Sequence, residues 1–314
     1  MTTVALVSAT PALALDEDLP IIAAALERLG VDSTVAVWDD PAVDWAAFDL
    51  AVVRSTWDYA PRRAEFLAWA ERTAGVTQLL NPPAVLAWST DKRYLLDLES
   101  AGVPTVPTQW LNPHEPVTLR VRGGPDPHQP EDFMVRGGDG AVVVKPVVGA
   151  GSVGAGRFDG TAEGRARAAE HAAKLLGDGQ AVMVQPYLEA IDHSGETAIV
   201  YIDGEPSHAV TKAAILRPDG AEFIEGGLYA EEDMEASTAT AAERAVADAT
   251  VAAAVDRLAL TAPLLYARVD LVPGPDGNPV VLELELAEPS LFLGYADGAA
   301  ADRFADAIVR RLTY

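Results

Sequence analysis

Tyr266-Ala-Arg-Val-Asp-Leu-Val-Pro-Gly-Pro-Asp-Gly-Asn-Pro-Val-Val-Leu-Glu-Leu-Glu-Leu286 holds two strand-length runs on either side of a turn. Successive side chains of a strand point to opposite faces, so Arg268 and Asp270 share one face while Ala267, Val269 and Leu271 take the other. In the second run Glu283 and Glu285 share a face, opposed by Leu282, Leu284 and Leu286. Asp276-Gly277 is a strong hairpin signal, and a turn centred there sets Asp270 opposite Glu283 and Arg268 opposite Glu285. Three carboxylates then meet within cross-strand reach with one cation among them. Carboxylates packed that closely repel unless a cation or a proton intervenes. Oxygen ligands on a rigid hairpin, too few to enclose an ion, suit Mg²⁺ that shares substrate phosphates. The alternative is a solvated charged face on an amphipathic hairpin. Pro273 and Pro279 bear on the register, because either can widen the loop or force a bulge.

Working outward, Ala141–Pro146 is a strand that leads into Gly149-Ala-Gly-Ser-Val-Gly-Ala-Gly156. Gly149-x-Gly151-x-x-Gly154 matches the dinucleotide fingerprint, which requires a helix to open inside the glycines. Here the helical pattern starts only at about Thr161, and no Gly-x-x-x-x-Gly-Lys-Ser/Thr is present. A glycine hairpin can close over phosphates and donate backbone N–H groups, with Lys145 on the preceding strand neutralising charge. An ordinary flexible loop and a snorkelling surface lysine are the alternatives. Gln185-Pro-Tyr-Leu-Glu189 follows a buried-type strand at Ala181–Gln185, and either offers an adenine its apolar contact and backbone hydrogen bonds or is a plain exit from the strand. Lys212 ends another strand and carries the same two possibilities.

The first ninety or so residues alternate strands (Val4–Val7, Thr34–Trp38, Leu50–Val53) with helical patterns. Leu19, Ile22, Leu26 and Leu29 fall at helical spacing with Gly30 as the stop, and Phe66, Leu67 and Ala70 mark a second helix that ends near Gly75. That order predicts a small parallel sheet, in which ligands gather at the carboxyl ends of strands. Arg54-Ser55-Thr56-Trp57-Asp58 lies at such an end. Arg54, Ser55 and, from the other side, Ser290 are therefore candidates to hold a substrate, with an Arg54–Asp58 ion pair and a packing role for Trp57 as the structural alternatives. Asn81-Pro82-Pro83 reads as a linker. Lys92–Ala101 reads as a helix capped by Ser89 or Thr90, and Asn112–Asp139 as an extended insertion or mobile loop. A helix over Thr161–Leu176, two strands in Glu196–Lys212 joined at Asp203-Gly204, a long helix with a Thr240/Glu243 capping box, and a last helix with Phe304, Ile308 and Leu312 on one side complete the pattern. The fold class is α/β at the N-terminus running into α+β.

With 314 residues, 49% of them hydrophobic, the chain can bury a core of two or three subdomains. Lys+Arg total 23 against Asp+Glu 47, a net charge of −24 that repels nucleic-acid backbones and anionic membranes. A small anionic ligand needs only a local group of cations. The absence of Cys excludes disulfides, thiolate nucleophiles and Cys-based metal sites, and fits the cytoplasm. No apolar run approaches the ~20 residues of a membrane span, and the N-terminus has no signal-peptide pattern. None of the five histidines has metal spacing; His193 suits a loop and His208 a satisfied strand position.

These segments, in this order, resemble the ATP-grasp superfamily over nearly the whole chain. The resemblance implies an ATP-grasp fold with an N-terminal parallel-sheet domain at 1–88, a small lid subdomain with the glycine flap at 89–188, and a C-terminal subdomain with the metal site at 189–314. It implies that ATP is bound by Lys92, Lys145, the flap (Gly149, Gly151, Ser152, Val153), the hinge (Gln185, Pro186, Tyr187, Leu188, Glu189) and Glu196 at the ribose. Mg²⁺ falls to Asp270, Glu283 and Glu285, the transferring phosphate to Lys212, and the acyl-phosphate and tetrahedral intermediates to Arg268. Glu285 stands where Asn is usual, and Ala198 where several amino-acid ligases carry an arginine. Within the superfamily, Arg54-Ser-x-Trp, Asp91-Lys-Arg-Tyr-Leu, Gln185-Pro-Tyr, Gly195-Glu-Thr, Ser207-His-Ala-Val-x-Lys212 and Leu282-Glu-Leu-Glu-Leu-x-Glu-Pro-Ser290-Leu resemble the cycloserine-forming ligases, which use ATP to close O-ureido-D-serine into a ring. The implied activity is a C–N ligase acting on a small amino-acid-like substrate, either cyclising it or joining two molecules, with a homodimer admitted as its assembly. A nicotinamide- or flavin-dependent oxidoreductase and a non-catalytic nucleotide-binding module are the competing classes.

Overall fold

Three sheets organise the chain, which the computed structural model describes over residues 2–113, 140–216 and 233–312. Most of the 112–139 segment expected as an insertion lies outside the described residues. The first sheet is parallel, with strands β1 (Thr3–Ser8), β2 (Asp32–Val37), β3 (Leu50–Ser55) and β4 (Gln78–Leu80) in the order β2-β1-β3-β4. Helix α1 (Asp18–Arg28) packs Leu19, Ile22 and Leu26 against Val4 and Leu6. Helix α2 (Arg63–Ala74) packs Phe66 and Trp69 with Val7, Trp38 and Val53 on the opposite side. Each such aliphatic or aromatic side chain contributes about 1.5–3 kcal/mol when taken from water. Leu29, on the same helical stripe, is exposed, because α1 ends at Arg28 and the chain leaves through Gly30 at φ +74°.

Asn81-Pro82-Pro83 is no free linker. Pro83 opens helix α3 (Pro83–Ser89), where its missing N–H is not needed. Asn81 is buried, and its amide donates to Tyr266 O (3.1 Å) and Leu286 O (2.8 Å) while its carbonyl accepts from Leu265 N (3.1 Å). The next helix, α4 (Tyr94–Ser100), starts later than expected and is not capped by Ser89 or Thr90. Ser89 Oγ instead accepts from Leu286 N, and Thr90 Oγ1 donates to Leu86 O.

A second sheet is antiparallel, in the order β5-β8-β6-β7: β5 (Gln109–Leu111), β6 (Val142–Pro146), β7 (Gly156–Phe158) and β8 (Val182–Pro186). Helix α5 (Ala162–Gly177) packs on it, capped by Thr161, which accepts from Gly164 N. The glycine segment is the loop of the β6–β7 hairpin, with Gly151, Ser152 and Gly154 at φ +59°, +62° and +77°. It enters a strand rather than a helix, so the dinucleotide fingerprint has no helix N-terminus to work with.

After the short helix α6 (Ile191–Ser194), the third sheet runs β11-β10-β9-β12-β13, all antiparallel: β9 (Glu196–Ile202), β10 (Glu205–Lys212), β11 (Met234–Ser237), β12 (Tyr266–Pro273) and β13 (Pro279–Glu285). Helix α7 (Ala241–Arg257) begins with the expected capping box, Thr240 N donating to Glu243 Oε2 (2.7 Å) and Glu243 N to Thr240 Oγ1 (3.2 Å). It and α4 cover the face carrying Ala267, Val269, Leu271, Leu284 and Leu286. The last helix, α8 (Ala300–Leu312), returns to the first sheet and buries Phe304 and Ile308 beside α1. Among the described residues no helix is long and apolar enough to cross a membrane.

The hairpin register is Arg268↔Glu285 and Asp270↔Glu283, as the turn signal predicts. It is reached through a bulge. Leu271 pairs Val281 and Pro273 pairs Pro279, so Leu282 is the extra residue that brings Glu283 opposite Asp270. Leu282 packs with the cluster of Val106, Leu188 and Val272.

Candidate active site

The face of β12–β13 turned away from α7 carries the charges. Arg268 Nε and Nη2 grip Asp270 at 2.8 and 2.9 Å, and Nη2 also pairs with Glu285 across the strands. Lys212, from the end of β10, reaches Asp270 Oδ2 at 3.0 Å and pairs with Glu196 at the start of β9. Asp270, Arg268 and Lys212 are all buried. Burial acts to raise the Asp270 carboxyl, but Arg268 and Lys212 outweigh it and hold the group well below the usual carboxylate range. Ala198 lies beside Asp270 on β9, its small side chain leaving that space to the ions.

Lys92 joins this face to the glycine loop. Its Nζ donates to Gly149 O (2.8 Å) and pairs with Glu283 Oε1 (2.7 Å), while its backbone N–H donates to Val147 O (3.0 Å). Burial acts downward on this ammonium, yet Glu283, Glu285 and Glu288 hold it above the ordinary lysine value. Lys145 is lowered by burial, with Lys92 adding to the shift against Glu283, Glu196 and Asp270. Burial acts to raise Glu283, but Lys92 and Lys145 bring it below its ordinary value. Glu285 goes the other way: burial, with Asp270 and Glu283 beside it, pushes it up to about 7 despite Arg268. Val148 and Ala150 of the loop pack on the N-terminal aromatic cluster, so the loop lies folded down between the first and third sheets.

Glu283 and Glu285 each give one oxygen to a cation and keep 23% and 27% of their side-chain surface exposed. Among the described residues no group of three or more acids or histidines is placed to hold a metal ion by itself. Two open carboxylates on one strand face suit a hard divalent cation that takes its remaining oxygens from phosphates and water. Asp270, expected as a third ligand, commits both oxygens to Arg268 and Lys212, whose ammonium stands where a metal would compete.

At the hinge, Gln185 is buried and donates to Thr108 Oγ1 (2.9 Å); Tyr187 and Leu188 are buried as well, and Glu189 is exposed. Tyr187 N donates to Ala141 O (2.8 Å), and the Tyr187 ring lies 3.5 Å beneath the Arg157 guanidinium. Arg157 grips Asp192 with two 3.0 Å hydrogen bonds, which fastens β7 to α6.

The third wall is the segment 287–293 after β13. Five consecutive carbonyls there each face a side-chain donor from elsewhere: Ala287 O and Tyr266 Oη (2.8 Å), Glu288 O and Trp57 Nε1 (3.0 Å), Pro289 O and Arg54 Nη2 (3.0 Å), Ser290 O and Arg268 Nη1 (3.2 Å), Leu291 O and His208 Nε2 (2.7 Å). Leu291 N and Leu293 N donate to the two oxygens of Asp18 at 2.6 and 2.8 Å. Arg54 thus pairs with Asp18 (3.5 Å), not Asp58, and is wholly buried behind the segment. Ser55 is buried too, 2.7 Å from Ser8 Oγ. Ser290 is the one of the three expected substrate groups that keeps exposed surface.

Glu288 and Tyr59 are site residues that sequence reasoning missed. Glu288 is buried, burial and the nearby Glu285 push it up to about 8, and Tyr59 lies against its carboxyl. The sequence signal was available in Glu-x-Glu-x-x-Glu, but Glu288 lies beyond the strand, where alternation no longer tells which way a side chain points.

Residues 4–81 match the family model described as D-cycloserine synthetase DcsG, N-terminal domain. The chain is 40% identical over 309 residues to the cycloserine biosynthesis protein DcsG of Streptomyces lavendulae, with 98% of each covered. It resembles the crystal structure of D-cycloserine synthetase DcsG at a TM-score of 0.83 and 37% identity, over 99% of both chains. D-alanine–D-alanine ligase from Bacillus anthracis, complexed with ATP, matches at a TM-score of 0.67 over 100% of this chain and 98% of its own. At 15% identity, that last likeness speaks for the fold alone.

Proposed function

The chain belongs to the D-cycloserine synthetase family of ATP-grasp ligases, and on that premise we propose that it is an ATP- and Mg²⁺-dependent C–N ligase that closes a small amino-acid-like substrate on itself. The observation that supports this most directly is the arrangement of Arg268, Lys212, Lys92 and Lys145 around Asp270, Glu283 and Glu285, beneath a glycine loop that Lys92 ties to the metal-facing strand.

The triphosphate would lie between the β6–β7 loop and the β12–β13 face. Gly149, Gly151, Ser152 and Val153 would offer backbone N–H groups, and Lys92 and Lys145 charge. The hinge backbone at 186–189 would take the adenine, and Glu196 the ribose. Glu283 and Glu285 would hold Mg²⁺, with Asp270 joining when Lys212 exchanges its carboxylate for phosphate. Bound there, Mg²⁺ supplies charge neutralisation between the phosphates and the acids. The substrate carboxylate attacks the γ-phosphorus, ADP leaves, and a nitrogen of the same molecule attacks the acyl carbon of the resulting acyl phosphate, with phosphate as the second leaving group. Phosphoryl transfer asks for positioning and electrostatic stabilisation more than for a protein nucleophile, which suits a chain without cysteine. Arg268, held rigid by Asp270 and Glu285, would stabilise the oxyanion, and the folded-down loop would keep water from the acyl phosphate. Ser290 faces the substrate; Arg54 and Ser55 act from behind the loop. ATP supply places the reaction in the cytoplasm.

The test is an ADP-release screen over amino acids and the O-ureidoserine isomers, with products weighed by mass spectrometry. O-Ureido-D-serine should release ADP and yield a product of lower mass than itself, and Glu283→Gln should lose Mg²⁺-dependent ADP formation while retaining its circular-dichroism spectrum. A product joining two substrates would instead make the enzyme an intermolecular ligase. Normal turnover by Glu283→Gln would remove the metal assignment.

A further inference from the structure

Five carboxylates line the floor of the site, and four of them stand within ion-pair distance of a cation: Glu196 and Asp270 at Lys212, Glu283 at Lys92, Glu285 at Arg268. Glu288 does not. Among the described residues no lysine, arginine or histidine pairs with it, it is only 8% exposed, and its Oε2 has no hydrogen-bond partner. A buried carboxyl oxygen without a partner costs stability, and a chain normally relieves it by a small shift of backbone or rotamer. Here the backbone is braced, because the carbonyls of 288–291 and the N–H groups of Leu291 and Leu293 are held by side chains from other elements, and Ala287 O shares the Tyr266 hydroxyl with Val53 O. The fold therefore holds an unpartnered carboxyl oxygen in place at the edge of the nucleotide site.

The groups that face it limit what can fill the gap. Tyr59, from the turn before α2, lies against the Glu288 carboxyl; Glu285 and Glu283 act on it from β13, and Lys92 from the turn between α3 and α4. Anions are repelled by three carboxylates. A divalent ion would find at this spot one acid and a phenol, and among the described residues no group of three or more acids or histidines is placed to hold an ion by itself. A compact monocation with several donors meets the demand: it neutralises Glu288, and its spare protons reach the Tyr59 oxygen.

We infer that Glu288, with Tyr59 beside it, is the subsite for the ammonium group of the amino-acid substrate, fixing that end of the molecule while its carboxylate faces the γ-phosphate. The assignment rests on the ligase function proposed above. It makes Glu288 a positioning and specificity residue that selects α-amino acids over acids of the same length without the amine.

The experiment compares two substrates, O-ureido-D-serine and its amine-lacking counterpart 3-(ureidooxy)propanoate, in the wild type, Glu288→Gln and Glu288→Asp. Wild type should prefer the amine-bearing substrate by about a hundredfold in kcat/KM, the order expected for a buried ion pair across a binding site. Glu288→Gln should lose that preference chiefly through KM for the amino acid, leave turnover of the amine-lacking acid within about threefold, and leave the KM for ATP unchanged. Glu288→Asp should recover part of the preference. Equal loss on both substrates, or a Gln variant that still discriminates, would overturn the assignment. If the wild type releases no ADP with either substrate, the proposed cyclisation of O-ureidoserine itself falls, and the ammonium subsite with it.

Discussion

Replacing Asp18 by Leu should be far more damaging than its distance from the nucleotide suggests, and most of the damage should come from Arg54. Asp18 accepts from Leu291 N and Leu293 N and stands 3.5 Å from Arg54 Nη2, with both side chains at 5% exposure or less. Among the described residues Arg54 Nε and Nη1 already have no partner, and the guanidinium would keep Pro289 O and the nearby rings of Tyr266 and Phe304. Removing one partner of a buried pair costs about 3–5 kcal/mol, because the other charge is left uncompensated. Arg54→Met is milder, about 2–3 kcal/mol, since Asp18 retains its two backbone donors. The pair is expensive to keep: burial raises the Asp18 carboxyl in spite of Arg54 and the two N–H groups. Removing both charges should therefore cost less than the two single changes added together, by about 2–3 kcal/mol. Urea unfolding of the wild type, both single variants and the double variant, followed by circular dichroism, measures that difference. The loop should loosen in parallel, raising KM for the acyl substrate while KM for ATP stays put. Additive free energies would refute the reasoning, showing that Asp18 and Arg54 do not act as one buried unit.

Lys92→Met removes the hydrogen bond to Gly149 O and the ion pair with Glu283 together. KM for ATP should rise about 10–100-fold, and an unchanged value in steady-state kinetics would dissociate the loop from the metal-facing strand. The ligand-free protein should lose stability as pH rises from about 4.5 to about 8, because Glu288 keeps a proton in the folded state that the unfolded chain gives up at the lower value. Melting temperatures across that window, without nucleotide or metal, should fall more steeply for wild type than for Glu288→Gln. Parallel profiles would show that Glu288 titrates alike in both states.

What the sequence disclosed follows the range of the forces involved. The Arg268/Asp270 and Glu283/Glu285 faces were legible because strand alternation is a strictly local rule, and the Asp276-Gly277 turn carried the register across. The bulge at Leu282 was foreshadowed only by the flanking prolines. Strands β5 and β7, three residues each, are too short to show a period, and their pairing with β8 and β6 is what makes them strands. Asn81 looked like a linker because Asn-Pro-Pro breaks local structure; its three hydrogen bonds all go to residues more than 180 positions away.

The 287–293 segment shows why the substrate wall was the hardest part to anticipate. Its sequence, Ala-Glu-Pro-Ser-Leu-Phe-Leu, has no periodicity, and each of its backbone partners comes from a different part of the chain: Trp57 and Arg54 near the first sheet, His208 on β10, Tyr266 and Arg268 on β12, Asp18 on α1. Arg54 was expected at the substrate because arginine at the carboxyl end of a parallel strand is well placed for an anion. The fold spends it one layer behind, on a carbonyl and a buried aspartate, and what reaches the site is Glu288. A strand-end arginine and a post-strand glutamate are thus parts of one device: the cation fixes the loop, and the loop holds an acid that no cation pairs with among the described residues. Substrate selection in this family member would then be set less by the hairpin that handles the phosphates than by how rigidly the first sheet grips seven residues beyond it.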